Sequence, residues 1–202
     1  MKLYYAPGAC SHAVHVALRE AGLTFDLEKV DLQAKKTAGG GDFLAVNPKG
    51  YVPALELDDG AVLTEGPAIM QYLGDLKPES GLAPKSGTME RYRLQEWLNF
   101  VTTELHKGMG ALFNPKVSGE SRDALVARVQ QRLGFVAKHL EGSPYLMGDR
   151  FSAPDGYLYT VLSWAPTLKI DLSAYPSLEA FLKRVKERPT VRAAREAEGL
   201  PG

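Results

Sequence analysis

A short strand leads into a helix in Lys2-Leu3-Tyr4-Tyr5-Ala6-Pro7-Gly8-Ala9-Cys10-Ser11-His12, and the turn between them carries the one cysteine of the chain. Pro7 and Gly8 end the strand, and an apolar stripe predicts a helix over residues 11–21. Cys10 is therefore expected at a helix N-terminus, where unpaired N–H groups and the helix dipole lower a thiol pKa. Two interpretations stay open: a thiol that reacts with an external sulfur compound, or a small buried residue packed under the turn.

The composition excludes several classes of function. The 24 Lys and Arg residues balance 24 Asp and Glu residues, so the formal net charge is zero and no basic excess neutralises nucleic-acid phosphates. No apolar run approaches the ~18 residues that span a bilayer, and the N-terminal stretch has no signal-peptide pattern. With one cysteine and no signal, we expect a cytoplasmic protein that binds neither nucleic acid nor membrane.

Strand and helix patterns alternate at short intervals in the first eighty residues, whereas helical patterns fill the rest. Alternation predicts strands, and Asp58-Asp59-Gly60 predicts a hairpin. A stretch rich in Pro, Gly and Ser, residues 78–87, is a predicted linker. The predicted fold is an α/β domain over residues 1–80 followed by an all-α domain over residues 87–202. The expected elements are strands at 2–5 and 25–32, a loop at 34–42, a helix from Pro67, and helices at 89–112, 121–140, 155–168 and around 178–185.

The segment Asn47-Pro48-Lys49-Gly50-Tyr51-Val52-Pro53-Ala54-Leu55 precedes a predicted strand. If the Val52–Pro53 bond is cis, the backbone of Val52 turns outward and can pair with an extended peptide as an added strand. An ordinary trans proline at the start of a strand is the alternative.

A second segment, Leu63-Thr64-Glu65-Gly66-Pro67-Ala68, combines an acidic side chain with a predicted helix N-terminus. Gly66 permits close approach of a ligand, and the N-terminal N–H groups of the helix can bind a carboxylate. Glu65 can bind an ammonium group, so the pair suits the head group of an α-amino acid. The alternative is a simple turn, with Glu favoured near a helix start.

Asn99, Thr103 and His106 recur at helical spacing on one face of the helix predicted at 89–112. A polar stripe on an apolar helix is costly to bury, which favours a wet cleft where His106 and Lys107 stabilise a thiolate or relay a proton. A histidine that is satisfied between helices is the competing interpretation. His12 and His15 are three residues apart, but no third ligand accompanies them, so we predict no metal site.

Together these segments resemble the bacterial beta class of cytosolic glutathione transferases over nearly the whole chain. The matching strings are Pro7 to Ser11, Asn47 to Gly50, Val52 to Leu55, Leu63 to Gly66, Glu96 to Asn99, Thr103 to Gly108 and Ser152 to Asp155. The resemblance implies a thioredoxin-like domain followed by a helical domain, and a homodimer. It also implies that glutathione is the co-substrate and that there is no further cofactor.

The resemblance also implies roles for individual residues. Val52, ahead of a cis Pro53, would pair with the cysteinyl part of glutathione, and Glu65 and Gly66 would hold its γ-glutamyl end. Cys10 would face the glutathione sulfur, with Ser11 and His106 as further stabilising donors and Tyr4 and Tyr5 as lower-ranked rivals. The remaining glutathione contacts would come from Lys35, Asn99, Thr103 and Lys107.

The implied reaction is attack by the glutathione thiolate on a small hydrophobic electrophile, a peroxide or a disulfide. The sequence does not identify the electrophile. Its pocket is expected to include Tyr51, Met109, Phe113 and Trp164. Two other interpretations remain: a glutathione-dependent disulfide reductase with Cys10 as nucleophile, and a non-catalytic binding or scaffold protein that keeps the fold.

Overall fold

The computed structural model describes residues 1–201 and contains a mixed sheet followed by a helical domain. The strands are β1 Lys2–Tyr5, β2 Asp26–Asp31, β3 Lys36–Thr37, β4 Ala54–Glu56 and β5 Val62–Thr64. The α-helices are α1 Ser11–Glu20, α2 Phe43–Val46, α3 Gly66–Leu76, α4 Met89–Phe100, α5 Lys107–Ala111, α6 Gly119–Leu140, α7 Ala153–Leu162, α8 Ala165–Leu168, α9 Pro176–Lys186 and α10 Pro189–Ala197. The predicted fold class is confirmed.

The sheet has the strand order β3-β2-β1-β4-β5. Strand β1 is parallel to β2 and antiparallel to β4, with Leu3 opposite Leu27 on one side and Leu55 on the other. The hairpin predicted at Asp58-Asp59-Gly60 joins β4 to β5. The prediction of a loop at residues 34–42 was wrong in part, because Lys36 and Thr37 pair with the end of β2.

Helix α1 connects the two domains because it packs against α3 on one side and against α7 and α10 on the other. All ten residues of α7, which covers the first part of the helix predicted at 155–168, are buried, so α7 is a central helix of its domain. That helix ends earlier than expected, at Leu162, and α8 is a separate short helix. Gly156 lies where α7 packs on α1: a Cβ there would lie 3.8 Å from Val16 Cγ1, an ordinary van der Waals distance.

The linker after α3 packs directly on that helix. A Cβ at Gly74 would lie only 2.6 Å from the Cβ of Ala83, a separation that packed side chains do not tolerate. Gly74 therefore fixes how closely the linker crosses α3, and thereby where the helical domain begins relative to the sheet.

The long helix predicted at 89–112 is interrupted by a π-helical segment, Val101–His106. The N–H of Lys107 donates to the carbonyl of Thr102, five residues earlier, instead of four. The wider turn changes which side chains face the sheet domain. Within residues 1–201, no helix combines the length and the apolar character needed to cross a bilayer.

Candidate active site

Two clefts meet where the sheet domain faces the helical domain. The small cleft, about 230 Å³, is lined by Cys10, Val52, Pro53, Glu65, Gly66 and Lys107 among others. The large cleft, about 660 Å³, is lined mostly by apolar atoms and includes Phe113 and Trp164. Cys10 and His106 line both clefts. A molecule in one cleft can therefore react with a molecule in the other beside these two side chains.

Cys10 lies at the N-terminus of α1, as the sequence predicts, but its pKa moves in the opposite direction. Burial raises the pKa of the thiol to about 11, although the backbone N–H groups of Cys10 and Ser11 and the charge of Lys107 lower it. The thiol is protonated at neutral pH, and its Sγ donates to the carbonyl of Val52 at 3.2 Å. In this environment the Cys10 side chain is a protonated thiol that donates a hydrogen bond, and it is not a thiolate.

Ser11 does not offer its hydroxyl to either cleft. The side chain is fully buried, and its Oγ exchanges 3.2 Å hydrogen bonds with the N–H and carbonyl of Ala6, which closes the turn after β1. We expected the Ser11 hydroxyl to be a donor at the site, and the structure corrects this expectation. The donor that Ser11 supplies is its backbone N–H, which is directed at the Cys10 sulfur.

Tyr4 and Tyr5, the lower-ranked rivals, are both buried and line neither cleft. The Tyr4 hydroxyl donates to Glu56 at 2.7 Å, and burial raises its pKa to about 12. Both tyrosines are buried because β1 lies at the centre of the sheet, covered on each face.

The Val52–Pro53 peptide bond is cis, and both residues line the small cleft. Val52 is almost completely buried, although it lines the small cleft. In this structure its carbonyl accepts the Cys10 thiol proton. Asn47 holds the preceding loop in place by donating from Nδ2 to the carbonyl of Tyr51 at 2.7 Å.

Glu65 sits at the N-terminus of α3 with φ 71°, a backbone conformation that favours glycine. Its carboxylate accepts hydrogen bonds from Lys49 Nζ at 2.6 Å and from the Tyr51 hydroxyl at 3.0 Å. The Lys49 hydrogen bond lowers the pKa of Glu65. A strained acidic residue beside the free N–H of Gly66 is typical of a binding site, and this one is open to solvent.

His106 is half-buried against aromatic rings. Its ring centroid lies 5.1 Å from that of Trp164, and its Nδ1 is 2.5 Å from the hydroxyl oxygen of Tyr157. Burial, together with the charge of Lys107, lowers the pKa of His106 to about 4. The imidazole is therefore neutral at pH 7, and if Tyr157 donates to Nδ1, then Nε2 carries the proton and acts as a donor.

The structure does not bring Asn99 and Thr103 into either cleft. Both side chains are exposed, and Thr103 Oγ1 donates to the carbonyl of Asn99 at 3.0 Å. The expected stripe assumed α-helical spacing, but the π-helical segment shifts the register, so that Thr102 lines the small cleft with His106 and Lys107. Counting residues at the spacing of a regular α-helix could not have identified Thr102 as a cleft residue.

Lys35 also lies outside both clefts. It adopts φ 55°, and its Nζ donates to the carbonyl of Gly50 at 2.6 Å. Lys35 therefore supports the loop that carries Tyr51 and Val52. The lysine that reaches Glu65 is Lys49, which sequence reasoning missed because the two residues are 16 positions apart.

The residues expected around the electrophile separate into three groups. Phe113 and Trp164 line the large cleft, with their ring centroids 5.7 Å apart. Tyr51 lines the small cleft instead. Met109 is fully buried, because it shares the core face of its helix with Leu105, four residues earlier.

A buried cluster behind Cys10 joins the two ends of the chain. His12 Nδ1 and His15 Nδ1 lie 2.9 and 2.8 Å from Glu198 Oε1, and the N–H of Gly8 donates to Glu198 Oε2. The sequence argument found no third acidic or cysteine partner for the two histidines, and that argument was wrong. Hydrogen bonds from both imidazoles to the carboxylate account for the cluster, so the prediction of no metal stays a prediction.

Comparison with known proteins gives one consistent answer. Family models match residues 8–76 (Glutathione S-transferase, N-terminal domain) and 100–189 (Glutathione S-transferase, C-terminal domain). The chain is 48% identical over 200 residues to Glutathione S-transferase GstA of Escherichia coli O157:H7, covering 99% of this chain and 100% of the relative.

Two solved structures cover this chain and their own chains completely. A beta-class glutathione S-transferase from Sphingomonas chungbukensis is 49% identical with a TM-score of 0.96. A sphingomonad glutathione S-transferase complexed with glutathione is 48% identical with a TM-score of 0.95. The chain therefore belongs to the glutathione S-transferase family and resembles its bacterial beta class along its full length, so that it is a transferase enzyme.

Proposed function

We propose that the protein binds glutathione in the small cleft and joins its sulfur to a small hydrophobic electrophile in the large cleft. The observation that carries this proposal is that the two clefts share Cys10 and His106. A thiol seated in the first cleft therefore meets a molecule in the second. The family membership and the relative complexed with glutathione support the choice of thiol.

The cysteinyl and γ-glutamyl units of glutathione each have matching groups in the small cleft. The backbone of Val52 pairs with the cysteinyl unit, the carboxylate of Glu65 binds the γ-glutamyl ammonium, and the N–H of Gly66 binds the γ-glutamyl carboxylate. Lys107, at the edge of the cleft, adds a positive charge near the sulfur. Lys35, Asn99 and Thr103 lie outside the cleft, so we assign them no contact within one chain.

In this proposal, hydrogen-bond donors rather than a general base stabilise the glutathione thiolate. When the cysteinyl N–H of glutathione donates a hydrogen bond to the carbonyl of Val52, the Cys10 S–H loses its acceptor. The S–H can then turn and donate to the glutathione sulfur. In the tautomer in which the Tyr157 hydroxyl donates to Nδ1, neutral His106 donates from Nε2. The sulfur then attacks the electrophile, and its proton passes to solvent.

The wider predictions from the resemblance remain part of this proposal. Residues 1–80 form the glutathione-binding domain, and residues 87–202 form the helical domain that carries part of the electrophile site. The protein is a cytoplasmic homodimer with no cofactor beyond its co-substrate. Large apolar side chains exposed on the helices support a protein interface: Leu76, Met89, Tyr92 and Phe135.

The proposal is tested by glutathione-affinity chromatography and by conjugation of 1-chloro-2,4-dinitrobenzene, followed by absorbance. We expect retention on the column, elution by free glutathione, and conjugation that depends on both substrates. A folded protein that is neither retained on the column nor active would contradict the proposal and favour the non-catalytic scaffold protein.

A second candidate, glutathione-dependent disulfide reduction, is favoured by the position of Cys10 between the clefts. Cys10→Ala separates the two activities. Because Cys10 is a protonated donor, we expect the variant to keep a measurable part of its conjugation activity and to lose reduction of a mixed disulfide. Loss of both activities to the same extent in a folded variant would contradict separate roles.

Glu65→Gln tests the γ-glutamyl contact. The variant keeps the size of the side chain but loses the charge, so we expect the KM for glutathione to rise roughly 10- to 100-fold. The change in kcat should be smaller, since the contact is remote from the sulfur. Steady-state kinetics with varied glutathione measure both. Glu104→Gln is the matched control, because Glu104 pairs with Arg128 and Arg132 outside the clefts; an equal KM change in both variants would refute the assignment.

A further inference from the structure

We propose that Arg195 is a carboxylate-binding residue of the large cleft, and that the preferred electrophiles are aromatic compounds that carry a carboxylate. This inference rests on the proposed function, because it names the class of molecule that occupies the second cleft. It goes beyond the expectation of a small hydrophobic electrophile, for which a cleft lined only by apolar and aromatic groups would suffice.

The large cleft is mostly apolar, yet one permanently charged side chain lines it. Among residues 1–201, the groups around this cleft are aliphatic, aromatic or small and neutral, with the exceptions of His106 and Arg195. Burial and the charge of Lys107 keep His106 neutral at pH 7. Arg195 therefore sets the electrostatic preference of the cleft, and a cation beside apolar walls attracts an anion more strongly than it would in water.

The position of Arg195 is separated from the reacting centre. Cys10 and His106 belong to the part of the large cleft that joins the small cleft. Arg195 and Leu200 belong to the part that joins a neighbouring cleft next to α9 and α10. An electrophile with its reactive carbon near Cys10 and an acidic group at its other end would span the cleft between these two places.

The guanidinium group of Arg195 is held in place by neutral acceptors. Its Nη1 donates to the Tyr159 hydroxyl at 3.2 Å, and its Nη2 donates to the carbonyl of Pro201. Within residues 1–201 it forms no ion pair with a carboxylate. Two of its five N–H donors are thus used, and the other three remain for a ligand. A planar guanidinium matches the geometry of a carboxylate, which it can bind through two parallel hydrogen bonds.

The surroundings favour an anion as well. The neighbouring cleft that shares Arg195 is lined by four cationic side chains and two anionic ones: Lys183, Lys186, Arg192, Arg195, Glu187 and Glu196. This positive excess attracts an anion toward the large cleft. Phe113 and Trp164 supply the aromatic wall on which a ring can pack. A cleft of about 660 Å³ is in the size range of pockets for small organic ligands.

A substituted chlorobenzoate illustrates the reaction. The glutathione sulfur forms a bond to the ring carbon that carries chlorine, and the C–Cl bond then breaks. Chloride leaves with the bonding pair, and the thiol proton passes to solvent. The carboxylate takes no part in the bond changes, so Arg195 affects binding and orientation and not the chemical step itself.

The test compares 4-chloro-3-nitrobenzoate with its neutral analogue, 4-chloro-3-nitrobenzamide. Binding is measured by quenching of tryptophan fluorescence, since Trp164 lines the cleft, and conjugation is measured separately with glutathione. We expect the wild-type protein to bind the benzoate roughly tenfold more tightly than the amide. Arg195→Gln should raise the Kd and KM of the benzoate by about the same factor and leave those of the amide unchanged.

Arg192→Gln is the matched control. Arg192 is exposed on the same helix and lines the neighbouring cleft but not the large one. Equal affinity of the wild-type protein for both compounds, or an equal loss in both variants, would overturn the inference. Because the Kd needs no turnover, a preserved preference for the benzoate in a protein that conjugates neither the benzoate nor 1-chloro-2,4-dinitrobenzene would refute the proposed function and leave the carboxylate site standing.

Discussion

Replacing Glu198 with alanine is expected to lower the free energy of unfolding by about 3–5 kcal/mol, the range for removing one partner of a buried charged network. The carboxylate is fully buried and accepts hydrogen bonds from His12, His15 and the N–H of Gly8. All three donors would be left without a partner in the variant. Thermal unfolding should show a decrease in Tm of roughly 10 °C for a chain of this length.

Glu196→Ala is the control, because Glu196 is exposed two residues earlier on α10. A similar decrease in Tm for both variants would show that the hydrogen bonds of Glu198 do not carry the effect. Below the unfolding temperature, Glu198→Ala should also lose conjugation activity. Gly8 lies in the turn before Cys10, held between Glu198 and the indole of Trp164, which donates to its carbonyl at 2.8 Å.

The same cluster predicts a pH dependence. Burial by itself raises the pKa of Glu198, but the hydrogen bonds from His12, His15 and Gly8 lower it to about 2 overall, below the ordinary value of 4.5. A depressed acid pKa stabilises the folded state above pH 4.5, and this stabilisation is lost as the pH falls from 4.5 toward 2. The wild-type protein should therefore lose more stability than Glu198→Ala over this interval.

Asp155→Ala is expected to have an effect of similar size, about 3–5 kcal/mol, since it leaves three buried donors without their acceptor. Asp155 Oδ1 accepts from the N–H of Leu146 at 2.8 Å, and Oδ2 accepts from the N–H and the hydroxyl of Ser152. These bonds start α7, the buried helix against which α1 packs. Chemical denaturation should show a lower midpoint with an unchanged slope.

Two further variants make this prediction specific. Asp155→Asn keeps one oxygen acceptor, so its loss of stability should be intermediate. Asp171→Ala removes a carboxylate that caps a turn at the surface, where it accepts from the N–H and hydroxyl of Ser173. If Asp171→Ala destabilised the protein as much as Asp155→Ala, burial of the Asp155 hydrogen bonds would not be the cause.

Much of the fold follows from local patterns in the sequence. The turn at Pro7–Gly8 and the Asp58-Asp59-Gly60 hairpin each occupy the predicted place, and the structure adds a local capping box of Ser152 and Asp155 at the start of α7. Turn and cap chemistry depends on residues a few positions apart, which is why it can be recognised without the tertiary structure. The helix N-terminus at Cys10 was predictable for the same reason.

The predictions that were wrong concern contacts between distant residues or a change of helical geometry. Thr102 lines the small cleft in place of Thr103 because of the π-helical segment. No residue pattern in the sequence indicated that segment. Lys49 reaches Glu65 through the shape of the loop between them. The direction of the Cys10 pKa was wrong because a helix dipole is local, whereas burial arises from both domains together.

The sequence by itself determined the order of the elements, the placement of Cys10, Val52 and Glu65, and the family, since these rest on turns, caps and contiguous motifs. The tertiary structure alone decided which side chains face each cleft, how strongly the thiol holds its proton, and that Glu198 and Arg195 lie beside the N-terminal turn. The physical reason is that burial and long-range hydrogen bonds act between residues whose distance along the chain carries no information about their distance in space.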